Sequence, residues 1–128
     1  MTNDEIITKI PAAKRQFDLE ERTARFGEKI IGFARKITVT PATRSLIDQL
    51  VRSGTSVGAN YCEANDALSR KDFFHRIGIS RKEAKETKHW LRKIIAAVPE
   101  HKKEAELLWS EAQELNLIFS SIKKKESN

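Results

Sequence analysis

Residues 73–98 read FFHRIGISRKEAKETKHWLRKIIAAV, and this stretch decides the fold. Apolar or small residues return at alternating steps of three and four, at Phe73, Ile77, Ser80, Ala84, Thr87, Leu91, Ile94 and Val98. That spacing keeps one side of an α-helix turned toward its neighbours and favours shallow packing against nearly parallel helices. A strand would need alternation by two, which is missing. Residues 73–98 therefore predict a long helix with one buried face.

Three further segments carry the same repeat. In the first, its positions are Leu19, Thr23, Phe26, Ile30, Phe33 and Ile37. In the second, they are Leu46, Leu50, Ser53, Val57, Asn60 and Ala64. In the last segment, which follows residues 73–98, they are Ala105, Leu108, Ala112, Leu115, Phe119 and Ile122. The chain therefore predicts four amphipathic helices.

The ends of the segments carry residues that start and stop helices. Three starts place a capping side chain before an acid or a proline: Asp18 with Glu21, Thr40 with Pro41, and Ser69 with Asp72. Pro99 closes the third helix, or opens the fourth, after Val98. The connections are only a few residues long, so consecutive helices are expected to run antiparallel. The predicted fold class is all-α, an up-down-up-down antiparallel four-helix bundle.

The chain of 128 residues is long enough to bury one core. We expect a flexible N-terminal arm at 1–16, the bundle at 17–122 and a basic C-terminal tail at 123–128. The N-terminus has acidic residues and no apolar run of signal-peptide length. No stretch approaches the ~20 consecutive apolar residues of a membrane span. A cytoplasmic protein without membrane contact is expected.

The sequence gives little support for a cofactor or an enzyme. Cys62 is the single cysteine, which excludes an internal disulfide, and we expect a packed free thiol instead of a nucleophile. A di-iron centre in a bundle needs two Glu-x-x-His pairs that face inward. This chain has one such pair, Glu86 with His89, on the outward side of the repeat. We expect no metal, no cofactor and no enzymatic activity.

The second helix has an unusual middle, because Gly54 and Gly58 interrupt a helical pattern at a cost of about 1 kcal/mol each relative to alanine. Close packing against another helix would offset that cost. The alternative is a phosphate-binding loop, although the spacing matches neither a Walker A motif nor a dinucleotide fingerprint.

Polar residues recur beside the apolar repeats. We expect a structural network that pairs buried polar groups and fixes helix register, formed by Arg52, Ser56, Asn60, Glu63 and Glu83. The alternative is a catalytic pocket with Glu63 or Glu83 as a base. No nucleophile or metal site accompanies those carboxylates, so the structural interpretation is preferred.

Positive charge is concentrated on the third helix. Residues 70–98 hold nine basic and three acidic residues, a net of +6 that equals the net charge of the whole chain. The fourth segment is acidic instead. If the apolar repeat is buried, one outward side carries Arg81, Lys82, Lys85, Lys88, His89, Arg92 and Lys93. Such a side could bind phosphates of RNA or DNA. The alternatives are a solvated face, or one that docks on an acidic protein or on the acidic helix of another subunit.

Several large apolar residues lie off the repeats, and they suggest subunit contacts. Those expected at an oligomer interface are Trp90, Trp109, Leu117 and Ile118. Phe74 also lies off the inward stripe. Self-association into a homo-oligomer is expected.

Two stretches resemble a known family. Residues 49–64 read QLVRSGTSVGANYCEA and residues 79–87 read ISRKEAKET, with Phe73 between them. Together with Phe17-Asp18-Leu19 and the pattern of the first helix, they resemble the four helix bundle protein family. That family is also called the 23S ribosomal RNA intervening-sequence protein family, after the inserted rRNA segments that encode some members. The resemblance covers roughly residues 17–122.

The resemblance implies an up-down bundle that assembles into a ring-like homopentamer. It also implies kinship with the accessory proteins of diversity-generating retroelements, which are basic, pentameric and bind nucleic acid and a reverse transcriptase. It implies no enzymatic activity. The matched motif residues Arg52, Ser56, Asn60 and Glu63 look like packing and register positions.

Overall fold

Four helices account for nearly all of the described chain. The structure, a computed structural model, describes residues 12–127, with side chains from residue 18 onward. The helices are α1 (Ala12–Lys36), α2 (Pro41–Asn65), α3 (Arg70–Ala97) and α4 (Lys102–Lys124). Single 3₁₀ turns occupy Pro99–His101 and Lys125–Ser127, and no strand occurs between residues 12 and 127. Each helix packs on the next, and α1 also contacts α4, which closes an antiparallel bundle. The predicted fold class is confirmed.

The helix ends follow local chemistry. Thr40 and Thr43 form a reciprocal capping box at the start of α2, with Pro41 as its first residue. The Ser69 hydroxyl accepts a hydrogen bond of 3.0 Å from the Asp72 backbone N–H at the start of α3. These two predicted starts are confirmed, as is the end of α3 before Pro99.

The predicted helix start at Asp18 is wrong, because α1 begins at Ala12 and Asp18 lies inside it. Residues 12–17 read AAKRQF and contain neither glycine nor proline, so nothing in them stops a helix. The predicted arm at 1–16 therefore overlaps α1. Its remainder, residues 1–11, lies outside the described part of the chain.

The predicted C-terminal boundary at residue 122 is also too early. Helix α4 runs to Lys124, and the Lys123 ammonium donates a hydrogen bond of 3.1 Å to the Phe74 carbonyl. The Arg70 guanidinium donates to the Lys125 carbonyl at 2.8 Å. Residues 123–127 are thus attached to the start of α3, whereas Asn128 lies outside the described residues.

The four repeats meet in one apolar core. Its largest fully buried side chains are Phe26, Phe33, Phe119, Ile30, Leu50, Ile77, Leu91, Ile94 and Leu115. Two residues expected outside this core are buried. Ile118 belongs to the core and is 3 % exposed, whereas Phe74 is 7 % exposed and packs against Phe73. Because α4 is flanked by both α1 and α3, its buried arc is wider than a strict 3-4 stripe. Phe74 is covered by the Arg70 guanidinium, 4.7 Å from its ring centre.

The glycines of α2 lie where α1 approaches most closely. A Cβ atom built on Gly54 would lie 2.9 Å from Cγ1 of Ile30, and one on Gly58 would lie 3.1 Å from Oγ1 of Thr23. Both glycines are buried inside a continuous helix. The close-packing interpretation is confirmed, and α2 contains no phosphate-binding loop.

Tyr61 offers a direct test of the core. The ring is 4 % exposed and packs 5.5 Å from the Phe119 ring centre, and its burial raises the pKa of Tyr61 to about 12. Because the folded-state pKa exceeds the unfolded value of about 10, this group contributes stability below pH ~10 that is lost as the pH rises toward ~12.

Tyr61 is the only tyrosine, so the change in ultraviolet absorbance that accompanies phenol ionisation reports on this ring alone. We expect a midpoint near pH 12 in buffer and near 10 in denaturant. A midpoint near 10 in the folded protein would show that the ring is hydrated and that this side of the core is misplaced.

Candidate nucleic-acid interface

A polar network joins α2 to α3. The Arg52 guanidinium donates to Glu83 at 3.1 Å and to Glu86 at 2.5 Å. The hydrogen bond to Glu86 and the charges of both carboxylates raise the pKa of Arg52. Glu83 is only 8 % exposed, so its charge depends on Arg52. This pairing aligns two antiparallel helices and leaves Glu83 ion-paired.

Other members of the expected network have different roles. Asn60 accepts a hydrogen bond of 3.1 Å from Arg76, which lies outside the expected network. The Ser56 hydroxyl donates to the Arg52 carbonyl of its own helix at 2.6 Å. Glu63 is exposed and makes no hydrogen bond or ion pair with the residues described here. The structure thus joins Arg52 with Glu83 and Asn60 with Arg76, and places Glu63 outside the network.

Arg52→Ala should destabilise the fold because it leaves Glu83 buried without its cation. Removing one partner of a fully buried pair costs about 3–5 kcal/mol, and the partial exposure of Arg52 reduces our expectation to about 1–2 kcal/mol. Arg25→Ala is the matched control, since Arg25 and Glu21 form an exposed pair worth about 0–1 kcal/mol. Urea unfolding of both variants measures the difference. Equal losses would mean that the network does not fix the register.

Cys62 is exposed, so the expectation of a packed thiol is wrong. Partial burial of the sulfur, together with the carboxylates of Glu20, Asp66 and Glu63, raises the pKa of Cys62. A nucleophilic cysteine needs a lowered pKa, so this environment does not activate the thiol. Among the described residues, no three His, Cys, Asp or Glu side chains converge on a metal position.

The basic face of α3 consists of Arg81, Lys82, Lys85, Lys88, His89, Arg92 and Lys93. Five of these residues lie on the outward side of α3, while Arg81 and Lys88 lie at its margin beside α4, and all except Lys88 are exposed. None of the seven forms an ion pair with a carboxylate of residues 18–127. The cations of the basic face are therefore available to a partner outside the subunit.

One edge of the basic face continues onto α4. The Lys88 ammonium donates a hydrogen bond to Gln113 and lies 5.3 Å from the Trp109 ring centre. Burial, and then the charge of Lys85, lowers the pKa of Lys88. The Asn116 amide donates to the Arg81 carbonyl at 2.9 Å. Sequence reasoning assigned Trp109 to a subunit interface and missed its place beside these cations.

The acidic residues of α4 have cations within the same subunit. Arg22 of α1 contacts Glu111 at 2.6 Å and Glu114 at 2.7 Å, and these contacts raise the pKa of Arg22. Lys36 contacts Glu104 at 2.9 Å. These pairs attach α4 to α1 and leave less acidic charge on α4 for a second subunit.

The residues expected at an oligomer interface divide into three groups. Trp109 and Leu117 are exposed at 37 % and 51 %, as is Leu107 at 68 %. Trp90 is half-buried against the core, and its buried indole N–H has no acceptor among the described residues. Ile118 belongs to the core of a single subunit and has almost no surface to offer.

Within residues 12–127, none of the helices combines the length and apolarity that crossing a membrane requires.

Comparison with known proteins places the chain in a family. The model of the family described as 23S rRNA-intervening sequence protein matches residues 15–121. A search of curated proteins gives no match. A solved structure of a protein of unknown function, from the S23 ribosomal protein family of Bacteroides thetaiotaomicron, is 32 % identical. The alignment covers 82 % of this chain and 97 % of that one, with a TM-score of 0.71. The chain belongs to the 23S rRNA-intervening sequence protein family.

Proposed function

We propose that this protein is a cytoplasmic, non-enzymatic homo-oligomer that binds RNA or DNA through the basic face of α3. The resemblance stated above suggests a pentamer. The observation that carries the proposal is the basic face itself, whose seven cationic or titratable side chains have no carboxylate partner among residues 18–127.

Folding alone does not require this arrangement. Elsewhere in the bundle, charges near helix contacts are paired, as with Arg22 and Glu111 or Arg52 and Glu83. An unpaired row of like charges repels itself and favours binding of a polyanion, which releases condensed counterions. The family takes its description from 23S rRNA segments that encode some members, a genomic association compatible with an RNA partner.

The alternative is a scaffold protein whose basic face docks an acidic protein. The exposed apolar residues Leu107 and Leu117 favour some protein contact. Docking of the basic face on α4 of a neighbouring subunit is less favoured, because Glu104, Glu111 and Glu114 are already paired with α1.

Equilibrium binding across a salt series separates these functions. The probes are a structured RNA, a DNA duplex and an acidic protein of similar net charge. We expect affinity for both nucleic acids to fall linearly on a log-log plot, with a slope of about −0.9 for each duplex phosphate contacted. Binding to the acidic protein alone would favour the scaffold.

Oligomer formation has its own test. Leu107 and Leu117 are exposed apolar residues on α4, and burying them between subunits would remove that surface from water. Light scattering at micromolar concentration should report a mass several times 14.6 kDa, and five times that value for a pentamer. A monomeric mass would contradict the oligomer, and nucleic-acid binding would then have to be a property of one subunit.

A further inference from the structure

We propose that Trp109 is a stacking site for an unpaired nucleobase, so that the bundle binds single-stranded segments of RNA or DNA in preference to duplex. This inference rests on the proposed nucleic-acid function and adds the form of the ligand. It is carried by the position of an exposed indole beside unpaired cations, at the groove between α3 and α4.

The Trp109 indole borders a cavity large enough for a flat aromatic ligand. Trp109 is 37 % exposed and lines a cavity of about 330 Å³ together with Arg92, Ile95, Glu106 and Ser110. This volume is at the lower end of the ~300–1,000 Å³ typical of small-molecule pockets. Ile95 supplies an apolar wall, and Arg92 and Ser110 supply polar groups at the rim. A flat aromatic ligand with polar edges fits this lining.

The ring is held in place from one side. The Lys88 ammonium lies 5.3 Å from the ring centre and is itself fixed by its hydrogen bond to Gln113. An ammonium over an indole is an attractive arrangement. Trp109 therefore presents a positioned surface to its cavity.

Charge favours a phosphate-bearing ligand over an apolar side chain. Arg92 lines the cavity and has no carboxylate partner among the described residues, and Lys85 and His89 lie on the same exposed side of α3. Glu106 is the one carboxylate in the lining, and it lies 4.0 Å from the Lys102 ammonium. A strand whose phosphates follow the basic face would carry its bases past Trp109.

Base pairing determines which form of nucleic acid can stack on Trp109. Stacking on a protein aromatic ring needs an exposed base face, which a duplex keeps inside its own stack. The phosphates of a duplex can still contact the basic face. Loss of the indole should therefore weaken binding to single strands and spare binding to duplex.

The test compares three probes of equal length: an oligothymidine, the same backbone without bases, and a duplex. Trp109→Leu should bind the oligothymidine about 5- to 150-fold more weakly, which corresponds to ~1–3 kcal/mol for one stacked base. Affinity for the abasic strand and the duplex should be unchanged. Trp109→Phe should keep most of the affinity, and Ile31→Ala, an exposed apolar change on α1, should have no effect. Helicity by circular dichroism verifies folding of each variant.

Fluorescence gives a second readout, because the chain has two tryptophans. In a Trp90→Phe background the oligothymidine should quench Trp109, and the abasic strand should not. Equal losses on all probes, or no loss, would overturn base stacking while leaving the proposed function intact. A drop in oligomer mass in Trp109→Leu would also overturn it, since Trp109 would then be an interface residue. If the parent protein binds none of the probes, the proposed function itself fails.

Discussion

A fourfold variant should bind RNA and duplex DNA about 10- to 1,000-fold more weakly near physiological salt, without unfolding. In this variant glutamine replaces each of Lys82, Lys85, Arg92 and Lys93. These four side chains are exposed and unpaired within residues 18–127, so the free energy of unfolding should change by no more than about 0.5 kcal/mol for each. The loss should be similar for every sequence, because phosphate contacts carry no sequence information. The log-log salt slope should flatten by up to about 0.9 for each lost contact.

The control is a second variant with the same change in net charge. Lys29, Arg35, Arg44 and Lys103 are exposed residues outside the basic face, and replacing them with glutamine also removes four positive charges. If binding depends only on net charge, the two variants lose affinity equally. The proposed interface requires the basic-face variant to lose much more.

Gly54→Leu should destabilise the bundle by about 1–3 kcal/mol through overpacking, the largest stability effect we expect from one substitution. Even the Cβ atom would come within 2.9 Å of Ile30, a β-branched and fully buried side chain that cannot move aside. Gly54→Ala should therefore already be destabilising, although alanine is the better helix former. Thermal or urea unfolding measures the loss.

Gly32 supplies the matched control in α1. A Cβ atom at Gly32 meets nothing within 4 Å, so Gly32→Ala should stabilise the protein by about 0.5–1 kcal/mol. Opposite signs for the Gly54 and Gly32 variants identify close packing. A Gly54→Leu variant that unfolds like the parent would contradict the close approach of α1 and α2.

The fold was predictable because the spacing of apolar residues and the residues at the helix ends indicate the same four helices. The 3-4 repeats identify the inward residues of all four helices, and Thr40, Ser69 and Pro99 mark ends that the structure confirms. The start of α1 was not predictable from Asp18, because a capping residue inside a run of good helix formers does not begin a new helix. Ile118 was misassigned because a repeat defines the centre of a buried stripe and does not give its width.

The candidate site was predictable in part. The basic face follows from helical geometry once the core is known, and the spacing of polar residues beside the repeats indicates a network that contains Arg52 and Glu83. The contacts of Trp109 with Lys88 and of Asn60 with Arg76 depend on how far one helix is displaced along another. A single sequence contains no measure of that displacement, and only the packed side chains determine it.

Modification of lysines in the unaltered protein tests the central claim most directly. Free and RNA-saturated protein are treated with an acetylating reagent, and the rate at each lysine is followed by mass spectrometry. The basic face predicts that RNA slows acetylation of Lys82, Lys85 and Lys93 several-fold, while Lys29, Lys71 and Lys103 react as in the free protein. Equal slowing at all six lysines, or protection confined to the second three, would contradict binding through the basic face of α3.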